Sequence, residues 1–228
     1  MQQLVVLHFQ PIAEQDWLLD TFSLEQGRQK LMLKRPEYEP DLFIAYQGDW
    51  FKKKDWPTIK AWQLSNAWRL EGTELYCGLY LNELLVSLLP FSESLPTLFE
   101  TYKNTLQALA EKQWPEPWLR MFEWQLLQEL GYGFSWQLDN QGQRIESAQY
   151  YQFVPSTGFM KAEAGYRGDD ILAFAQGSKD IRVWQLAKSI FRLALDDLLT
   201  HPLCSRTLFI TDVGAQSDNR QTTHLLNT

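Results

Sequence analysis

Ile59-Lys60-Ala61-Trp62-Gln63-Leu64-Ser65-Asn66-Ala67-Trp68 gives way, across Arg69-Leu70-Glu71-Gly72-Thr73, to Leu75-Tyr76-Cys77-Gly78-Leu79-Tyr80-Leu81-Asn82-Glu83-Leu84-Leu85. The first stretch reads as a strand and the second as a helix, so the chain changes character near Gly72-Thr73. Upstream, Leu4 to Phe9 and Trp17 to Phe22 are apolar strands, the second followed by a turn at Glu25-Gln26-Gly27. Lys30, Met32 and Lys34 alternate with Leu31 and Leu33, the period-two sign of a half-buried strand. Leu42 to Tyr46 is the next strand, ended by the turn residues Gln47-Gly48-Asp49. Five short strands with tight turns in about seventy residues fit a small closed barrel, and an OB-fold has this size and strand count.

Downstream, Thr73 is placed to cap a helix that runs to Pro90, with Leu75, Leu79, Leu81, Leu84, Leu85 and Leu88 at mainly helical spacing. A second helix, Leu95 to Ala110, carries Leu95, Leu98, Phe99, Tyr102, Leu106 and Leu109 on one face. Pro115 and Pro117 open a third, with Leu119, Phe122, Leu126, Leu127 and Leu130 as its apolar face and Gly131 as its C-terminal cap. Residues 132–165 read as short extended pieces around turns at Asp139-Asn140-Gln141-Gly142 and Ser156-Thr157-Gly158. Asp169 is placed to cap a short helix, Asp170 to Gln176. The longest helix runs from Ile181 to Leu199, with Val183, Leu186, Ala187, Ile190, Ala194, Leu195 and Leu198 as its buried stripe. The fold class is therefore mixed α+β. A five-stranded OB-fold domain spans 1–71, and a mainly helical domain over 72–228 holds a small β-rich insertion at 132–165.

The 228 residues are 45% hydrophobic and 14% aromatic, enough for a real core and against disorder for most of the chain. No apolar run approaches the ~18 residues that span a bilayer. Met1-Gln2-Gln3-Leu4-Val5-Val6 reads as the start of a strand and not as a signal peptide, so the cytoplasm is the expected compartment. Cys77 and Cys204 are too few for a disulfide framework or a four-thiolate zinc site, and Cys77 reads as a small buried hydrophobe. A net charge of −7 argues weakly against nucleic acid. Its distribution is uneven, because residues 1–71 carry 9 Lys/Arg against 10 Asp/Glu and the rest carry 12 against 18.

Catalytic constellations are missing. His8, His201 and His224 lack metal-ligand spacing, and phosphate-loop, dinucleotide and nucleophile-elbow motifs are absent. Asp169/Asp170 suit a helix start, and Asp196/Asp197 suit a solvated helix face. No catalytic residue, cofactor or metal is expected. The most suggestive stretch is Trp50-Phe51-Lys52-Lys53-Lys54-Asp55-Trp56, with Lys60 and Trp62 just beyond. Single-strand binders combine cations for the backbone with aromatic faces for the bases, each stacked base contributing ~1–3 kcal/mol. The plainer reading is a solvated loop with its Trp residues packed inward, and composition alone favours it. Asp49 and Asp55 reduce the local field. Lys34-Arg35 is a second, weaker patch.

The Leu75 to Leu85 stretch resembles the Leu-Tyr-x-Gly-Leu-Tyr-x-Asn-Glu-Leu-Leu helix of the proteobacterial RecO family. Pro115-Glu116-Pro117, Leu119-Arg120, Phe122-Glu123, Leu126-Leu127 and Leu130-Gly131-Tyr132-Gly133 resemble the helix that follows it there. Weaker echoes include the opening strand ending in His8, Leu19-Asp20 and Phe22 with Gly27-Arg28, and Gly158-Phe159. Near the end come Ala187-Lys188, Arg192, Ala194-Leu195, Ser205-Arg206 and Leu208-Phe209, all in the family's order. The resemblance implies an OB-fold, a helical domain with an insertion, and a non-enzymatic role in DNA repair and recombination. Such proteins bind single- and double-stranded DNA, anneal complementary strands, and act with RecR to load RecA onto DNA coated by single-strand-binding protein (SSB). Some dock the acidic, Phe-ending tail of SSB on the helical domain. That docking needs an apolar pocket and a cation for the terminal carboxylate. Arg120 matches a basic family position between Leu119 and Phe122, which makes these three the candidate partner site. The other reading of Arg120 is a surface salt bridge.

Two departures from the family bear on function. Many members carry a basic Gly-Ala-Arg-x-x-Lys-Ser-like stretch after the third strand. Here that place reads Lys34-Arg35-Pro36-Glu37-Tyr38-Glu39-Pro40-Asp41, and Lys52 to Lys54 would have to compensate. Some members hold zinc through four Cys in the insertion. This chain has none between Cys77 and Cys204, so the insertion is expected to be zinc-free and held by Phe134, Trp136, Tyr150, Tyr151 and Phe153. Two functions stay open. One is a mediator that binds DNA at Lys34, Arg35, Trp50, Lys52, Lys53, Lys54, Trp56 and Lys60, works at the nucleoid and needs no membrane. The alternative is an adaptor that docks SSB or RecR with weak or lost DNA binding. Salt-sensitive binding to bare oligonucleotides separates them, and catalytic turnover would revive a third class, a hydrolase or transferase.

Overall fold

The computed structural model describes residues 1–51 and 56–208. By compactness these form two units. One holds 1–99, 106–115 and the described residues from His201, and the other holds 100–105 and 116–200.

In the first unit, β1 (Gln2–Ala13), β2 (Asp16–Ser23), β3 (Gly27–Lys34), β4 (Ile44–Phe51) and β5 (Thr58–Ala67) close into a barrel in the order β1-β2-β3-β5-β4. Neighbours are antiparallel except β3 and β5, which run parallel with Met32 opposite Thr58. The five-stranded closed barrel is consistent with an OB-fold. Leu4, Val6, Leu19, Leu31, Leu33, Tyr46 and Ile59 fill its interior. Burying a side chain of this kind stabilises the fold by roughly 1.5–3 kcal/mol. Alternation fails in β1, where Leu4, Val5, Val6 and Leu7 are all buried. Its second face is covered too: Asn82 of α1 (Gly72–Leu88) donates from Nδ2 to the Leu7 carbonyl at 3.0 Å.

Local signals misplace some boundaries. Gln47-Gly48-Asp49 does not end β4. The strand continues to Phe51, with Gln47 and Gly48 paired to both β1 and β5, so their backbone groups are satisfied by two ladders. Thr73 does not cap α1, which begins at Gly72 after Glu71 without a side-chain cap bond. Pro96 opens α2 (Pro96–Ala110).

In the second unit, α3 (Pro115–Glu129) is closed by Gly131, whose φ is 80°. The Gly131 N–H donates to the Gln128 carbonyl and the Tyr132 N–H to the Leu127 carbonyl, so the last turn's orphan acceptors are used. A three-stranded sheet in the order β7-β6-β8 follows, from β6 (Tyr150–Val154), β7 (Gly158–Ala162) and β8 (Tyr166–Arg167). Next come α4 (Gly168–Ala175) and α5 (Ile181–Leu198). Asp169 lies inside the first turn of α4 and is not its cap; its carboxylate accepts from the Arg167 guanidinium and the Asp170 N–H. Asp180 does cap α5, accepting from the Arg182 N–H at 2.9 Å. The buried stripe of α5 includes Phe191, while Leu186 and Leu198 are only half-buried.

Aromatic packing holds the insertion. Phe134 lies 4.7 Å from Phe153 and 5.8 Å from Phe191, and Trp136 lies 4.2 Å from Phe174, between ring centroids. Tyr151 is fully buried and its hydroxyl accepts the Glu146 N–H, whereas Tyr150 is exposed. Asp139 Oδ1 accepts the N–H groups of Gln141 and Gln143, which ties the turn before the sheet.

Candidate functional site

The parallel seam of β3 and β5 organises the barrel's charged wall. Met32 opposite Thr58 sets Lys30 and Lys34 of β3 level with Trp56 and with Lys60 of β5. Lys30 Nζ lies 5.8 Å from the Trp56 ring and 5.9 Å from the Phe91 ring, and Lys60 Nζ lies 4.6 Å from the Phe51 ring. Lys34, Arg35, Trp56 and Lys60 are exposed. None of Lys30, Lys34, Arg35 and Lys60 forms an ion pair among the described residues. Lys52, Lys53 and Lys54 lie outside the described residues. Trp50 packs against the barrel core, and its indole N–H donates to Gln26 Oε1 at 3.3 Å. It belongs to the wall and not to the open face. The shortened 34–41 loop is tied down as well. Tyr38 donates from its hydroxyl to the Trp62 carbonyl, Tyr46 stacks on Trp62 at 3.7 Å, and the Asp41 N–H donates to the Tyr46 hydroxyl. Burial pushes the Tyr46 phenol above its usual range, so it stays a neutral hydrogen-bonding group.

Several family-like residues of this unit are fasteners. Arg28 donates from Nε and Nη2 to both oxygens of Asp20, at 2.9 and 2.7 Å, and from Nη1 to the Leu89 carbonyl at 3.0 Å. Gly27, with φ of 65°, leaves no room for a side chain, because a Cβ there would meet the Glu93 carbonyl oxygen. Phe22 packs edge-on against Phe99. Glu83 accepts the N–H groups of Cys204 and Ser205 at 2.7 and 2.9 Å and the Ser205 hydroxyl. Asn82 and Glu83 thus tie α1 to β1 and to the segment after His201.

The second unit contains an aromatic cavity of about 570 Å³, lined among others by Pro117, Arg120, Met121, Trp124, Trp136 and Phe191. Met121 and Trp124 are exposed at 43% and 45%, so apolar surface reaches solvent beside it. Arg120 is buried. It donates from Nη2 to Glu123 Oε1 at 2.8 Å, while its Nε stands 3.9 Å from Glu116 Oε2 without a hydrogen bond. Lys188 Nζ meets the other Glu116 oxygen at 2.9 Å. The Trp136 indole N–H is also buried without an acceptor among the described residues. Leu119 and Phe122 are buried but do not line this cavity. Sequence neighbours diverge around a helix, and Arg120 shares its face with Pro117 and Trp124, three residues before it and four after. An aromatic cavity with a guanidinium at its wall accommodates an apolar side chain that carries a carboxylate.

Sequence reasoning missed Lys30, Phe91 and Trp136. Lys30 was visible as an outward position of an alternating strand. Phe91 and Trp136 sit in connections with no periodicity to mark them. Among the described residues no cluster of three His, Cys, Asp or Glu is placed to hold a metal, and no helix is long and apolar enough to cross a membrane.

The family described as "Recombination protein O C terminal" matches residues 69–172, which hold α1 to α3, the insertion and most of α4. The DNA repair protein RecO of Stutzerimonas stutzeri (strain A1501) is 36% identical over 226 residues, covering 92% of this chain and 93% of that one. The DNA repair protein RecO of Pseudomonas putida (strain KT2440) is 38% identical over 219 residues, covering 91% and 96%. That of Pseudomonas aeruginosa (strain PAO1) is 34% identical over 220 residues, covering 92% and 94%. Each of these relatives is at least 34% identical over at least 91% of this chain, and the chain belongs to the RecO family of DNA repair proteins.

Proposed function

We propose that the protein is a non-enzymatic mediator of DNA repair and recombination, acting in the cytoplasm at the nucleoid. An OB-fold domain over 1–71 binds single- and double-stranded DNA and speeds the annealing of complementary strands. A helical domain over 72–228 docks partners, and with RecR the protein promotes loading of RecA onto SSB-coated DNA. The observation that carries the reading is the row of cations that form no ion pair among the described residues, Lys30, Lys34, Arg35 and Lys60, on an OB barrel in a chain of net charge −7. Cations lined up along one strand seam are what a phosphate backbone requires of a binding surface. The cavity beside Arg120 suits the SSB tail, which offers a terminal Phe and acidic groups.

A second reading, an adaptor for SSB or RecR with little DNA binding of its own, draws on the same cavity and on the acidic excess of residues 72–228. Fluorescence anisotropy with a labelled single-stranded oligonucleotide across a salt series separates the two. The mediator requires binding at low salt, with affinity falling linearly in log salt, and a loss of both affinity and slope in Lys52/Lys53/Lys54→Ala. Absence of binding at low salt gives the adaptor.

A further inference from the structure

Phe91 sits just after Pro90 in the connection between α1 and α2, and it is 51% exposed. Its ring lies 4.3 Å from the Arg28 guanidinium, and its backbone pairs with that of Arg28 in a short bridge, with the Ser92 N–H donating to the Arg28 carbonyl at 2.8 Å. Arg28 is itself fixed by Asp20 and by the Leu89 carbonyl. The ring is therefore mounted on an immobile cation. Trp56, 42% exposed, is the second open ring, and the Lys30 ammonium stands within 6 Å of both ring centroids.

We infer that Phe91 and Trp56, with Lys30 between them, form a base-stacking platform that makes the barrel prefer single-stranded over double-stranded nucleic acid. The inference rests on the DNA-binding reading above and adds the residues that discriminate. Isolated exposed apolar residues are ordinary on protein surfaces. Two aromatic rings sharing one ammonium that forms no ion pair among the described residues, beside the further cations Lys34 and Lys60, are matched to a ligand with flat apolar faces joined by a polyanion. An acidic peptide would use the cations and leave the rings idle. A duplex would do the same, because its bases are stacked on each other and only groove edges and phosphates are presented. An unpaired strand uses both. Because Arg28 and the Arg28–Phe91 bridge already hold Phe91 in place, ordering this ring costs little on binding.

The test is anisotropy on the full chain with labelled oligo-dT and with a mixed-sequence duplex of equal length, across a salt series. Wild type, Phe91→Ala, Phe91→Trp and Lys30→Ala are compared, with circular dichroism and a urea midpoint for each. Phe91→Ala is expected to weaken oligo-dT binding about 5- to 100-fold, the span of a lost stacked base, with the salt slope and duplex affinity unchanged. Phe91→Trp restores the affinity. Lys30→Ala lowers the slope on oligo-dT by about 0.7, the share of one phosphate contact. Wild type that binds oligo-dT while Phe91→Ala binds it equally well overturns the platform and leaves the DNA-binding reading standing. An equal loss on single strand and duplex overturns the discrimination. A wild type that binds neither overturns the platform together with the reading it rests on.

Discussion

Arg28 in the barrel and Arg120 in the helical unit are both buried arginines paired with a buried carboxylate, and they differ in how completely they are satisfied. Arg28 uses Nε, Nη1 and Nη2, two on Asp20 and one on the Leu89 carbonyl. Arg120 holds Glu123 with Nη2, but its Nε has no acceptor among the described residues, and Arg120 lines an open cavity. A buried charge with its donors used is a clamp, and replacing it affects the fold. A buried charge with a donor to spare beside a cavity still has capacity for an incoming anion. The same residue type, in similar burial, is closed off by its partners in one unit, and in the other it lines the cavity that the proposed docking would use.

The largest effect should come from breaking the clamp. Asp20→Ala leaves the Arg28 guanidinium buried without its carboxylate, which costs about 3–5 kcal/mol. A urea titration followed by circular dichroism reads this as a lowered midpoint. A midpoint within error of wild type would show that water reaches Arg28 and that the two arginines are not different in kind.

The complementary test removes the other arginine without leaving a charge behind. Arg120→Met with Glu123→Gln retains much of the side-chain volume and deletes the buried pair together, so stability should move by no more than about 1 kcal/mol. Affinity for an acidic peptide ending in Phe should fall about 10- to 100-fold, the loss of a hydrogen bond to a charged group. Calorimetric titration of that peptide checks it, and DNA binding should be unchanged. Peptide affinity that survives the double replacement would remove Arg120 from the partner site and leave the cavity as apolar surface only.

The difference between the two arginines was only partly legible in the sequence. Strands of the barrel could be read because half-buried strands alternate and turns carry their own residues. Gln47-Gly48-Asp49 misled because turn composition is a local preference, and pairing with β1 on one side and β5 on the other outweighs it. Closure into a small barrel was legible in the number and length of the strands, but the order in which they pair to close it was not. The parallel contact of β3 with β5 joins strands far apart in the chain, and it is what brings Lys30 and Lys34 beside Trp56 and Lys60. Asp20 and Arg28 were visible as family-like residues, but only the hairpin register reveals them as a clamp. Arg120 was identified from its motif, yet its neighbours were taken from chain adjacency. Helical spacing would have pointed to Pro117 and Trp124.

The smallest expected effect is also the one that isolates electrostatics from packing. Lys34 and Lys60 are exposed and not ion-paired among the described residues, so Lys34→Ala with Lys60→Ala should shift the urea midpoint by an amount equivalent to no more than about 0.5 kcal/mol. If both cations track phosphates, each removal should flatten the dependence of log affinity on log salt by about 0.7 on a single strand and about 0.9 on a duplex. Both DNA forms should then weaken severalfold at low salt and converge toward wild type as salt rises, because the lost contribution is one that salt screens. This pattern is the opposite of that expected for Phe91→Ala, which spares the slope and the duplex. An unchanged slope in the double variant, together with a reduced slope in Lys52/Lys53/Lys54→Ala, would move the phosphate path off the β3–β5 seam and onto residues 52–54. The barrel would then keep an electrostatic surface, but not the one its strand register organises.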